Sequence, residues 1–308
     1  MIQKNIFFSF LLFVFFLSQI FFIISAKREI SREMLIMGTV CRISIITGKN
    51  LSSQQAESAL NNSFALLKDY ERRWNFYAKD SELGLINVQA LNQPVKLLPD
   101  TWELISKSLE LSVLTNGVFD ITATSLHRQG GYGTIILDQQ AQSLMFSDTQ
   151  AKIDLGGIAT GYAIDQVQEF FKNNRIMDYL IDVGGDISAS GRNQKNKVWE
   201  IGVRSPVDQN IIICDFPVNN QSVTSSGNYV KKHIIDPQTS VLADNNIESV
   251  TVITDSCLEA DAFATAFFIM GIEQTKTFID KYRNDIQVLF VKTIENKHEI
   301  IKYNWEKD

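Results

Sequence analysis

Between Ser53 and Trp74, apolar residues recur every three or four positions, at Ala56, Leu60, Phe64, Leu67, Tyr70 and Trp74. That is the spacing of one buried face on an α-helix, and it predicts a helix over 53–74. The segment Leu35–Ile46 mixes Val, Ile and Thr around Gly38 and reads as a strand. A second helix is expected from Asp100 to about Leu114, with Glu103 completing a capping box. Three glycines at 156, 157 and 161 lead into a third helix through Val167, Phe170 and Phe171. Ser256 and Glu259 predict the start of a fourth, running to about Met270. Tyr179–Val183, Val198–Val203, Glu248–Thr254 and Gln287–Val291 are strand-like. Helices and strands interleave without strict alternation, which predicts an α+β fold of mixed sheets with packed helices. No break demands two independent units, so residues 34–308 are expected to form one domain.

The N-terminus follows a different pattern. Ile6–Ala26 is apolar apart from Ser9, Ser18, Gln19 and Ser25, with Lys4 ahead and Lys27-Arg28 behind. Such a run is long enough to cross a bilayer, which needs about 20 residues, and longer than the ~7–15 of an ordinary signal core. Residues 1–26 are therefore expected to be either a membrane anchor or a signal cleaved near Ser25-Ala26. The 308-residue chain carries a formal net charge of −6 and has 45% hydrophobic residues, ample for a core. This acidic balance argues against nucleic acid as a partner. Cys41, Cys214 and Cys257 are too widely spaced for a metal or redox pair.

Candidate chemistry gathers in a few places. The run Asp154-Leu155-Gly156-Gly157-Ile158-Ala159-Thr160-Gly161 leaves backbone open to close approach by a ligand. If a helix begins there, its free N–H groups suit a phosphate, although glycine turns also serve plain packing. Asp261 and Thr265 are four apart on the fourth helix and so share a face, with apolar residues almost all round. They are hard oxygen ligands of the kind Mg²⁺ accepts, or Asp261 is a local cap. His233, close to Asp236, is a candidate proton acceptor, or a structural histidine. Asp186 ends the run Leu180-Ile181-Asp182-Val183-Gly184-Gly185, and Asp120 follows Gly117-Val118-Phe119.

Taken in order, these segments resemble the ApbE-type FAD:protein FMN transferases from about Met37 to about Phe290. The resemblance rests on Met37-Gly38-Thr39, Tyr77 with Asp80-Ser81-Glu82-Leu83, Gly117-Val118-Phe119-Asp120 and Asp154–Ala159. It continues through Gly184-Gly185-Asp186-Ile187, Ser226-Gly227-Asn228-Tyr229, His233–Pro237 and Ala260–Thr265. It implies an α+β fold and an Mg²⁺-dependent transferase that moves FMN from FAD to a Thr or Ser hydroxyl of a target flavoprotein, releasing AMP. It also implies metal ligation by Asp261, Thr265 and the carbonyl of Ala159, with His233 as base. Met37, Tyr77, Phe119, Asp120, Asp154, Gly157 and Ile235 would line the flavin nucleotide site. Partners would be FAD and flavoprotein subunits of a membrane redox complex, with the chain exported and held at the inner membrane or its periplasmic face. The same residues leave two alternatives, an FAD pyrophosphatase giving FMN and AMP and a non-catalytic flavin binder. Departures from the family pattern are a short Thr122–Gly133 segment, a trimmed Tyr229–His233 hairpin, Thr160 in place of lysine, Asp182 in place of asparagine and Ser240 in place of glycine.

Overall fold

The segment around Gly38 is a hairpin and not the single strand expected. In the computed structural model, which describes residues 27–125, 130–228, 234–294 and 297–305, β1 (Arg28–Ile36) pairs antiparallel with β2 (Thr39–Thr47). Met37 and Gly38 form the turn with φ of 55° and 72°, left-handed at both central residues, which matches the natural twist of a hairpin. Gly38 thus marks the reversal. The helix expected at Ser53 is present as α1 (Ser53–Arg73), opened by a reciprocal capping box between Ser52 and Gln55.

The chain continues through α2 (Glu82–Gln89), β3 (Val95–Lys96), α3 (Pro99–Leu114), β4 (Ile135–Asp138), β5 (Ser143–Phe146) and α4 (Ala159–Asn173). Then come β6 (Tyr179–Val183), β7 (Asp186–Ser190), β8 (Trp199–Arg204), β9 (Ile212–Val218) and β10 (Gln221–Gly227). The last elements are β11 (Ser249–Thr254), α5 (Cys257–Tyr282), β12 (Gln287–Ile294) and β13 (Lys297–Tyr303). An eight-stranded antiparallel sheet runs β1-β2-β6-β7-β10-β11-β12-β13, with smaller sheets β3-β5-β4 and β8-β9. This is the α+β fold expected.

The large sheet buries both faces, and side-chain alternation divides it between two cores. Ile43, Ile181, Val250 and Val252 join the helices in the larger one. Ile46, Ala189, Val223 and Ile253 meet Trp199, Val203 and Phe216 of the β8-β9 pair in the smaller one. One helix boundary differs from expectation: α3 begins at Pro99 with Leu98 as its N-cap and no side-chain cap, and Glu103 instead accepts from the Tyr162 hydroxyl at 2.8 Å. In α5 the helix opened at Cys257 breaks near its expected end, at the non-helical Gly271 with φ 73°, and a second helical stretch carrying the buried Thr275, Phe278 and Ile279 follows across that kink. The apolar segment expected at 6–26 lies outside the described residues, among which no helix is long and apolar enough to cross a membrane. All three cysteines are free.

The motif Asp80-Ser81-Glu82-Leu83 has a structural role. Ser81 caps α2 by accepting from the Gly84 N–H at 2.9 Å. Glu82 meets Arg73, the last residue of α1, at 2.9 Å, and Arg73 also reaches Asp100 at 2.9 Å and Thr101 at 2.9 Å. The Arg73 side chain is only 8% exposed, so one buried guanidinium joins the ends of three helices. Removing one partner of a buried pair strands the other charge, at about 3–5 kcal/mol. Arg73→Ala is therefore expected to lower unfolding stability by about 3 kcal/mol in urea titration. A loss below about 1 kcal/mol would show that Glu82 finds water instead.

Candidate active site

α5 is apolar nearly all round because it lies between the sheet and α4. Asp261 and Thr265 interrupt that surface, one turn apart on a single face. Asp261 is 6% exposed and accepts a hydrogen bond from the Gly161 N–H, at 3.2 Å, in the first turn of α4. Burial pushes its carboxyl up to about 7, against the opposing effect of that bond. The carboxylate is therefore not a local cap of its own helix, since its partner lies on the neighbouring one. One of the α4 amides expected to face a phosphate is already taken by it. Thr265 Oγ1 lies 3.3 Å from Ser226 Oγ on β10.

Close approach of the two helices depends on Gly161. A Cβ there would overlap the Cys257 carbonyl and stand 2.7 Å from the Leu258 Cα. The same junction is held by Asp165, one turn further along α4. Its carboxylate accepts from Ser256 Oγ at 2.6 Å, Cys257 N at 2.8 Å and Leu258 N at 3.0 Å, at the amino end of α5. An anion on these free amides is favoured both by hydrogen bonding and by the helix dipole. Burial nonetheless holds the Asp165 carboxyl above the ordinary range.

The other expected residues divide into those brought to this junction and those left apart. The Asp154 N–H donates to the Ile121 carbonyl at 2.7 Å, which ties the 119–122 segment to the glycine loop. A Cβ on Gly157 would lie 3.6 Å from Thr265 Oγ1 and 3.8 Å from the Phe119 ring. Phe119, Gly157 and Thr265 therefore meet, with Ala159 as the first residue of α4 beside them. Asp154 accepts from the Gly156 N–H at 2.9 Å within the same loop. Asp120 is committed to its own surroundings, accepting from the Thr122 N–H and hydroxyl at 2.7 and 2.6 Å and from the Tyr132 N–H at 3.0 Å. Met37 donates its N–H to Glu71 on α1 at 2.7 Å, and the adjacent Thr39 packs on Gly184. Tyr77 is 87% exposed, and the ring contact it makes is with Phe76. Ile235 bridges Leu242, in a loop that Asn228 closes by accepting from the Ile234 N–H at 3.1 Å and donating to the Ala243 carbonyl at 3.1 Å. His233 lies outside the described residues.

Across from α5, Asp186 opens β7. Burial and the charge of Asp261 hold its carboxyl well above the ordinary range. Among the described residues no cluster of three or more His, Cys, Asp or Glu side chains could hold a metal. Any cation here would take a mixed oxygen set of carboxylate, hydroxyl and backbone carbonyl, which suits a hard ion. A cavity of about 320 Å³ lies on the far side of Asp165, lined by Gln168, Tyr179, Ser190, Asn220 and Ser256. No residue expected at the site lines it, and its polar groups already bond one another, as in Ser190–Asn220 and Tyr179–Gln168.

The ApbE family model matches residues 37–290. The chain belongs to the ApbE family. Among curated ApbE relatives, an FAD:protein FMN transferase of Haemophilus influenzae is 25% identical over 307 residues, covering 87% of this chain and 88% of its own length. One from Vibrio cholerae is 26% identical over 288 residues, covering 83% of this chain and 85% of its own. The solved flavin transferase ApbE from Vibrio cholerae superposes with a TM-score of 0.78 at 22% identity, covering 90% of this chain and 97% of that one. At that identity the likeness establishes the ApbE fold. Ser240 adopts a φ of 60°, a left-handed conformation that costs about 1–2 kcal/mol in a non-glycine residue.

Sequence reading missed the role of Asp165, although it closes the glycine-bearing segment. Capping signals are readable when cap and helix are adjacent in sequence, and Asp165 caps a helix 91 positions away. Two substitutions test the junction. Gly161→Ala forces α4 off α5 and is expected to destabilise by about 2–3 kcal/mol in chemical denaturation. Asp165→Ala leaves the first amides of α5 without their acceptor and should cost about 2 kcal/mol. An unchanged denaturation midpoint in either variant would contradict the contact it removes.

Proposed function

We propose that this chain transfers the FMN part of FAD to a Thr or Ser hydroxyl of a target flavoprotein and releases AMP. The reading is supported above all by the convergence of the Gly157–Gly161 backbone with the buried Asp261 and the half-buried Thr265. The relatives carry the same activity in their names, FAD:protein FMN transferase. The donors present suit Mg²⁺: a buried carboxylate with one N–H partner, a hydroxyl, and the carbonyl of Ala159 at the start of α4. When bound, Mg²⁺ would offset charge on the pyrophosphate of FAD.

The chain's own residues do the rest. The backbone around Gly157 leaves room for the dinucleotide, and the Phe119 ring beside it offers an apolar wall. Met37, Tyr77, Asp120, Asp154 and Ile235 complete the nucleotide site in this reading. Tyr77, so exposed without ligand, is free to lie against the flavin. His233 takes the proton of the acceptor hydroxyl, whose oxygen bonds to the FMN-side phosphorus as the bond to the AMP phosphate breaks. The chain sits at the membrane through residues 6–26, on the exported side, and serves flavoprotein subunits of a membrane redox complex.

The test is to incubate the chain with FAD, Mg²⁺ and a candidate flavoprotein domain, then measure protein-bound flavin and AMP. Covalent flavin with equimolar AMP is the expected result. AMP without covalent flavin would overturn transfer in favour of hydrolysis, and neither product would leave a flavin binder. Asp261→Ala is expected to lower Mg²⁺-dependent turnover about a hundredfold or more with the far-ultraviolet dichroism unchanged.

A further inference from the structure

The sheet beneath α5 carries a second carboxylate aimed at the same place as Asp261. On β7, Ile187 and Ala189 pack into the smaller core, so Asp186 and Ser188 face the other way, toward α5. The β7-β10 register pairs Ser188 with Ser222 and Ile187 with Val223. Carried one pair further, it sets Thr224 opposite Asp186, with the Thr224 hydroxyl on the same face as the Asp186 carboxylate. Thr224 and Ser226 share a face of β10, and each meets α5. Thr224 Oγ1 lies 4.0 Å from Cys257 Sγ, and Ser226 Oγ lies 3.3 Å from Thr265 Oγ1. Asp261 stands midway between Cys257 and Thr265 on the helix, one turn from each. The register thus brings Asp186 beside Asp261.

Two neighbouring carboxylates, one of them buried, are a poor arrangement unless a proton or a cation lies between them. Among the described residues, the groups acting on this pair are burial, Asp182, the Thr224 hydroxyl and the Gly161 amide, and none is a cation. Asp186 is half-buried, which leaves the pair open on one side. From this geometry we infer that Asp186 is a further anionic oxygen donor for the divalent cation held by Asp261 and Thr265. The inference rests on the cation site described under the proposed function. It also explains the motif Gly184-Gly185-Asp186, whose turn ends β6 and delivers the first residue of β7 to the cation. A second carboxylate raises affinity for a doubly charged ion by adding negative charge to the donor set.

The experiment uses the full-length chain in detergent with Mn²⁺ alone as probe. Free Mn²⁺ is read by electron paramagnetic resonance, and Tm is measured with and without the ion. Wild type is compared with Asp186→Asn, Asp261→Asn and Asp215→Asn, the last exposed on β9. Asp186→Asn is expected to weaken Mn²⁺ binding about tenfold or more, with Asp215→Asn unchanged. Its metal-free Tm should rise, because like-charge repulsion is relieved, while the Tm gain from Mn²⁺ shrinks. If Asp186 only anchors Thr224, its metal-free Tm should instead fall and Mn²⁺ affinity stay within about twofold of wild type, which overturns the inference. Loss of Mn²⁺ in Asp261→Asn but not in Asp186→Asn leaves the cation site standing and removes only this donor. Absence of Mn²⁺ binding in wild type would remove both.

Discussion

The junction between the first turns of α4 and α5 sets the geometry of everything near the candidate site. It depends on a backbone-to-backbone approach that only Gly161 permits and on one carboxylate, Asp165, that satisfies the exposed amides of α5. Ala159 and Gly161 belong to one helix and Asp261 and Thr265 to the other. Their relative position is therefore no better defined than this contact. A helix end buried against a second helix is stable only if its unpaired N–H groups find acceptors, and Asp165 supplies them. The same contact places the Gly161 N–H on Asp261, so one amide at the amino end of α4 faces a protein carboxylate.

Around that junction the sheet acts as a ruler. Because strand side chains alternate, β10 sends Val223 to one core while Thr224 and Ser226 face α5. The polar residues of β7 and β10 form a hydrophilic strip beneath an otherwise apolar helix. The surrounding apolar mass raises the Asp261 carboxyl, which makes a cation or a proton there favourable. A stable frame and a charged site are thus built from the same elements. The Arg73 network holds the α1, α2 and α3 ends in the same way, with each guanidinium nitrogen given a partner.

Much of this frame is legible in the sequence because its signals are local. The 3.6-residue period from Ala56 to Trp74, the Ser256 cap and the alternation of Tyr179–Val183 all lie within a few positions of the structure they specify. The Asp261–Thr265 pair is legible for the same reason, since four residues make one helical turn. Local signals also misled where tertiary packing overrode them. Gly38 looked like part of a strand and is a hairpin turn. Glu103 looked like a capping residue and bonds Tyr162. The helix expected to run to about Met270 does break there, at Gly271, and a second helical stretch bearing the buried Phe278 and Ile279 follows the kink.

What the sequence determined by itself is the family, the α+β class and which side chains are available as oxygen donors, because each rests on residue type and short spacing. Which of those donors meet was decided only by the tertiary structure. Gly157 faces Thr265, Asp165 caps a helix 91 positions on, and the pairing of β7 with β10 turns Asp186 toward α5. Contacts between residues so far apart in the chain follow from strand register and helix packing, and no window of neighbouring residues encodes them.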